Sequence, residues 1–483
     1  MAPARLSRHA RLARPRSRAA LLALSLAVTT TGLAACAGDA RGADAEPFSP
    51  DGVWTTDGYG TLVEVEGDRL RTYDVTTLSC LPGLVTGERA GEPGEDGGVT
   101  FASEETSPIT VTPDGANGAR WSFADSVGDR ALHRLEALPE NCGEEPAGDP
   151  VEAFDVFWQT YAEQYPFFEA RGVDWEAVRE EYRPRVTEET TEDELFALLR
   201  EMIEPLHDAH TSLASPSGDY YAGHREDTEL PDAELIQRIE EATAESVGAE
   251  QRRWANGAVS YADMADGVGY LRITSFTGYT DEDGYAEDVA ELDRALDEVF
   301  TEARTEGPDA LRGLVLDLRF NGGGSDRLGL HVASRLTDRP YVAYTKHARN
   351  DPDDPAGHTP DQEIRVEPFD GPTYDGPVAV LTSRLTISAA ETTTQSLLGR
   401  EPGVTLVGEN TQGSFSDTLD RTLPGGWSFA LPNEEFLTED GRTFDIAGIP
   451  PAVATPVFTD EEFEAHRDSA LTEARALLGG DAG

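Results

Sequence analysis

The sequence predicts an α/β protein with three parts: a core of alternating strands and helices over residues 266–480, a helical subdomain over 150–265, and a separate small all-β domain over 50–145. Three observations carry this. From Gly267 onward, apolar runs of strand length (Val268 to Ile273, Leu311 to Leu318, Val378 to Leu381, Thr405 to Val407) alternate with helix-compatible stretches (Asp288 to Glu306, Asp326 to Leu336, Ser388 to Leu398). That alternation implies right-handed βαβ units on a twisted sheet. Val151 to Tyr182 and Thr191 to Ile203 read as helices whose aromatic faces (Phe154, Phe157, Trp158, Tyr161, Tyr165) are explained by core packing. Residues 50–145 alternate apolar and polar positions in short runs between glycine turns, as in Thr61 to Tyr73, which is a hairpin pattern.

Residues 1–35 read as a targeting segment. Six arginines between Arg5 and Arg18, without an acidic residue, precede a short apolar run, Ala19 to Val28, that is too short to span a bilayer. Leu33-Ala34-Ala35-Cys36 resembles a bacterial lipobox, which implies cleavage before Cys36 and lipidation of its thiol; an ordinary secretory signal cut nearby is the alternative. Residues 36–49 then form a flexible tether of small, polar and acidic residues. The expected location is the extracytoplasmic face of the cell membrane, held by lipid.

The formal charge is −52, and loss of the targeting segment would deepen it by its six arginines. Nucleic acid is thereby excluded as a partner. A basic patch for anionic lipid is excluded too, so membrane attachment falls to the lipid. With Cys36 assigned to lipid, only Cys80 and Cys142 remain, and an even pair in an oxidising compartment reads as a disulfide closing the β-domain, sandwich- or barrel-like. A catalytic cysteine is the other reading, but neither lies near a chemical motif. The nine histidines and three cysteines show no H-E-x-x-H or paired C-x-x-C spacing, so no metal and no cofactor is expected.

Two segments of the core carry chemistry. Leu314 to Asp326 reads as a buried strand, the turn Gly322-Gly323-Gly324, and a helix. Three glycines at such a junction expose backbone amides with no side chain in the way, as an anion or oxyanion requires. A phosphate loop would need a lysine after the glycines, and Ser325-Asp326 supplies none. A tight turn needed only for packing remains the plain reading. Val378 to Glu391 places Ser388 after a strand and at a helix start, with the Ala389 amide placed to meet an oxyanion. Serine is also a common N-cap, so the position alone decides nothing.

Together the two segments resemble the tail-specific, or C-terminal processing, serine peptidases, a family that includes the tricorn core. Further blocks fit in the same order: Gly269-Tyr270-Leu271-Arg272-Ile273 through Phe276, Val407-Gly408-Glu409-Asn410-Thr411-Gln412-Gly413, and Gly448-Ile449-Pro450-Pro451. The resemblance covers roughly residues 150 to 480. It implies a crotonase/Clp-like ββα core, Ser388 as nucleophile, and an oxyanion hole from the amides of Gly323 (Gly322 as neighbour) and Ala389. Many members carry a PDZ domain in the region before the core; residues 216–263 are about half the length needed and hold an acidic helix, Ala233 to Ala244, so no complete PDZ domain is expected.

The base is the distinctive point. Many members use a lysine about 25 residues after the serine, where this chain has Gly413-Ser414. The chain holds one lysine, Lys346, read as a surface residue, and arginine stays protonated at any working pH. Tricorn-like and retinoid-binding-protein-like relatives carry instead an L-x-D-x-H motif, matched by Leu206-His207-Asp208-Ala209-His210. The resemblance makes His210 the general base, whose intrinsic pKa suits the task; His207 reads as a solvated or capping histidine. It makes Asp445, three residues before Gly448, the third member, with an exposed turn carboxylate as the plain reading. The hydroxyl residue that precedes the family's histidine is Ala209 here. Glu391 reads as a helix-start cap, and Asp351 to Thr373 as a long loop over the cleft. The expected substrate is a peptide or protein; a noncatalytic peptide- or lipid-binding protein and a thioesterase-like hydrolase on the same fold are the competing readings.

Overall fold

The computed structural model describes residues 48–479 apart from 116, 144–145, 283, 308–309 and 355. Cys36, the targeting segment and nearly all of the tether lie outside the described residues. Among those described, no helix is long and apolar enough to cross a membrane.

The amino-terminal domain is a closed antiparallel barrel of eight strands, from Gly52–Thr56 to Arg130–Leu135, with the first and last strands paired at Val53 and Leu135. Period-two patterning places Trp54, Val63, Val65, Phe101, Val111 and Trp121 in its interior. Closure leaves no free edge. Cys80 and Cys142 are disulfide-bonded with Cα atoms 4.7 Å apart, tying the fourth strand to the segment beyond the last. The barrel is bolted to the core by polar contacts: the Arg421 guanidinium meets Asp74 at 3.2 Å, and the Tyr59 hydroxyl donates to Glu434 at 2.7 Å.

The helix Pro150–Gln164 starts on Asp149, whose carboxylate accepts from Glu152 N at 2.8 Å, with proline at the first position where its missing N–H costs nothing. Its aromatic face packs on Trp175 and Phe429, the Tyr161 and Phe157 ring centroids lying 5.4 and 5.0 Å from theirs. The helix Glu192–Ile203 starts on a capping box between Thr191 and Glu194. It ends in a short 3₁₀ turn and His207 at φ 47°, which throws the chain sideways into the segment bearing His210.

The core is a seven-stranded sheet ordered Arg252–Trp254, Val259–Asp263, Val268–Ile273, Gly313–Asp317, Val378–Thr382, Thr405–Gly408, Val453–Ala454. The first three strands are antiparallel and the rest parallel. Val268–Ile273, Gly313–Asp317 and Val378–Thr382 are buried at every position, as strands covered on both faces must be. One face packs on the helices Tyr285–Val299 and Asp326–Ser334, the other on Ser469–Leu477.

Two features differ from the sequence reading. Asp351 to Thr373 is not a single loop: Gln362–Val366 is a strand paired with Tyr341–Ala348. Lys346 is not at the surface. It lies on that strand, 3 % exposed, with its ammonium 3.0 Å from Glu434 and 3.8 Å from Asp417. Its strand neighbours alternate in burial, and partner carboxylates 71 and 88 residues away are invisible to local pattern.

Candidate active site

Two short parallel strands beyond the carboxyl ends of the main sheet, Phe320–Asn321 and Leu385–Thr386, bring the glycine loop and Ser388 together. Hydroxyls hold them: Thr386 donates to Leu318 O at 2.8 Å and Ser383 to Arg319 O at 2.6 Å, while Ile387 N donates to Asn321 O at 3.0 Å. Gly323, at φ 96°, then lies directly against the serine. A Cβ added there would fall 2.6 Å from Ser388 Cβ and 3.1 Å from its Oγ, so only glycine fits.

Ser388 has φ 59° and ψ −124°, a sparsely populated conformation for a non-glycine residue. It costs about 1–3 kcal/mol and persists only where its surroundings impose it. They do so through the backbone: Ser388 N donates to Ser414 O at 3.1 Å and to Glu391 at 3.2 Å, and Glu391 N donates to Ser388 O at 2.7 Å. The serine begins the helix Ala389–Leu397, whose first-turn amides and dipole favour negative charge. Of the expected oxyanion donors, Ala389 opens that helix, and the Gly323 N–H donates to Asn321 Oδ1 at 2.9 Å.

Glu391 exceeds the capping role expected of it. Fully buried, its carboxylate accepts from Gly413 N at 2.6 Å and Ser414 N at 2.9 Å besides Ser388 N. Burial pushes its pKa up to about 8 against the opposing pull of these donors and Thr411.

His210 is joined to this network through Ser414. The Ser414 hydroxyl accepts from Ala209 N at 3.3 Å and donates to Asp208 at 3.3 Å, while its carbonyl accepts from Ser388 N. Asp208, 2 % exposed, accepts from His210 N at 3.0 Å and from the Tyr165 hydroxyl at 2.9 Å, and pairs with Arg171 at 3.0 Å. The histidine segment is therefore fixed by its backbone. Its imidazole is held otherwise: Nδ1 is buried without a partner, and no hydrogen bond joins it to Ser388 or Asp445 among the described residues. Burial lowers the His210 pKa, against Asp208 and Asp417, so the ring is a neutral base. His207 faces solvent and pairs with Glu226 at 3.2 Å.

Asp445 is buried rather than an exposed turn carboxylate. It accepts from Thr443 Oγ1 at 2.6 Å and from Phe415 N at 3.3 Å, beside Ser414, and burial pushes its pKa up to about 7. Asp208, Ser414 and Glu391 are thus the residues that sequence reasoning underrated. Asp208 was visible inside the histidine motif, and Ser414 stands at the position the lysine would fill.

A strained serine at a helix start, pressed on a glycine loop at the carboxyl edge of a parallel sheet, defines a serine-hydrolase type of site. Residues 267–455 match peptidase family S41, and residues 146–204 match the tricorn protease C1 domain. Residues 267–455 are thus a domain of peptidase family S41, the family the sequence motifs resemble. It is 29 % identical over 189 residues, 38 % of this chain and 34 % of the other, to the chloroplastic C-terminal processing peptidase of Tetradesmus obliquus. The match thus spans about a third of that curated relative. The crystal structure of a candidate peptidase from Parabacteroides merdae superposes with a TM-score of 0.57 at 25 % identity, covering 69 % of this chain and 99 % of that one.

Proposed function

We propose that this chain is a serine endopeptidase in which Ser388 attacks a peptide carbonyl and His210 takes its proton. The observation that carries the reading is the imposed backbone of Ser388 against Gly323 at the start of the Ala389–Leu397 helix. Attack places negative charge on the carbonyl oxygen, where the Ala389 amide and the glycine loop stabilise it; the Gly323 N–H would exchange Asn321 Oδ1 for the oxyanion. His210 returns its proton to the leaving amine, and water, activated by the same imidazole, clears the acyl-enzyme. Asp445 contributes indirectly, through the Phe415 amide and the Ser414 turn, because Ala209 offers no hydroxyl to relay it.

A fluorophosphonate probe tests the nucleophile. Wild type is expected to label and Ser388→Ala is not; labelling that survives the substitution overturns the assignment. The unpartnered His210 Nδ1 and Ala209 favour a second reading, a noncatalytic binder on the same fold. No labelling and no peptide cleavage by wild type would establish it. The Leu33–Cys36 motif supports a lipid anchor on the extracytoplasmic face. Cys36→Ala is then expected to move the protein from the membrane to the soluble fraction, and an unchanged membrane fraction removes the anchor.

A further inference from the structure

We propose that the seam between the barrel and the core is a substrate subsite for a cationic side chain, lysine or arginine, lying beside the scissile bond. This deepens the peptidase reading and rests on it. A cavity of about 410 Å³ lies in that seam, bounded by Val85, Phe123 and Arg130 of the barrel and by Gly324, Asp326 and Asp417 of the core. It starts one residue from the nucleophile, since Gly324 lines it and Gly323 lies on Ser388. The barrel is held there by Ser325 Oγ, which donates to Asp125 O at 2.5 Å, and by Ser126 Oγ, which donates to Asp417. The seam is therefore a built wall of the cleft.

Its chemistry selects the occupant. Carboxylates of Glu105, Asp125, Asp326, Asp417 and Asp420 line it with two arginines, both already engaged, and the buried Lys346 ammonium lies behind Asp417 at 3.8 Å. Arg130 lies over the Tyr59 ring at 4.1 Å from its centroid, and Arg421 pairs with Asp74. Asp326 is the independent sign of a missing partner: it is 5 % exposed, one oxygen accepts from Thr392 at 2.5 Å, and the other, Oδ2, is buried with none. Burial and the neighbouring Asp417 push the Asp326 pKa up to about 8, and a substrate ammonium or guanidinium approaching along the seam would give the unpartnered oxygen a donor and favour the carboxylate. Leu84, Val85 and Phe123 offer apolar surface for the methylene stem of such a side chain. The strongly negative chain would also draw cationic polypeptides towards it.

The test uses the full chain and fluorogenic peptides that differ only in lysine, norleucine or glutamate at each position flanking the scissile bond. Wild type is expected to prefer lysine over norleucine by about tenfold in kcat/KM at one fixed position, and to disfavour glutamate there, as charge discrimination in a partly desolvated site gives. Glu105→Gln with Asp420→Asn is expected to cut that preference, read as the lysine-to-norleucine ratio within the variant, to about twofold. Leu84→Lys, at an exposed position, should abolish it by supplying the cation internally. Equal rates for lysine and norleucine in wild type, or a preference untouched by both variants, overturn the subsite. If wild type cleaves nothing and takes no fluorophosphonate, the peptidase reading has failed separately. Binding of the same peptides then decides the subsite, which is overturned if lysine binds no tighter than norleucine.

Discussion

Ser388→Ala and His210→Ala are each expected to lower kcat for a cleaved peptide by about 10⁴- to 10⁶-fold, and the double variant to be no worse than either single one. The non-additivity is the informative part, because a nucleophile and its base act on one proton transfer and either loss removes the same step. The single lysine does not serve as a second base. Lys346 is fully buried against Glu434 and Asp417, and although burial opposes its charge, their attraction raises its pKa and keeps it protonated. Arginines do not deprotonate. The pH profile gives the sign independently. The base must be neutral to act, and burial lowers the His210 pKa, so the acid limb of kcat/KM is expected below the ordinary imidazole value of 6.5. His210→Ala should remove that limb. A His210→Ala rate within tenfold of wild type would show that the proton goes elsewhere.

Ser388 and the triple glycine were legible because each is a local event: a strand, a turn that needs glycine, and a helix start, in one continuous segment. The alternation of strands and helices was legible for the same reason; Ser388 to Leu398 is Ala389–Leu397, whereas Asp288 to Glu306 is broken into Tyr285–Val299 and the short turn Glu302–Thr305. What sequence could not show is pairing across distance. Phe320–Asn321 and Leu385–Thr386 are two-residue strands with no periodicity to read, yet their pairing sets Gly323 on the serine. Asp208 and Ser414 meet across 206 positions, and neither has a composition signal of its own. Burial was the other blind spot. Lys346, Glu391 and Asp445 are ionisable residues of types usually found at the surface, and each lies inside because partner groups or backbone amides satisfy it there.

Glu391→Ala is expected to destabilise the fold by about 2–6 kcal/mol, because it strands two buried amide donors, each worth about 1–3 kcal/mol when unpaired. Those donors are Gly413 N and Ser414 N, while Ser388 N keeps its bond to Ser414 O. Activity should fall with stability, since Ser414 positions both the serine and the His210 segment. Glu391→Gln separates acceptor geometry from charge: it keeps one carbonyl oxygen and cannot titrate. Folded Glu391 has a pKa pushed up to about 8, chiefly by burial and with Asp445 adding to it, against an unfolded value near 4.3. A raised folded pKa means that the folded state binds the proton more tightly. The stabilisation is therefore complete below about pH 4.3 and lost progressively as pH rises through about 8, up to about 5 kcal/mol at roughly 1.4 kcal/mol per unit. Asp445, pushed up to about 7, acts in the same direction over a slightly lower window. Denaturant melts of wild type from pH 5 to pH 9 should show this alkaline loss, and Glu391→Gln should flatten it while Asp445's part persists. A wild-type stability that rises across this range would mean that the amide donors keep Glu391 ionised at neutral pH, and its part in the site would be that of a fixed anion beneath the nucleophile.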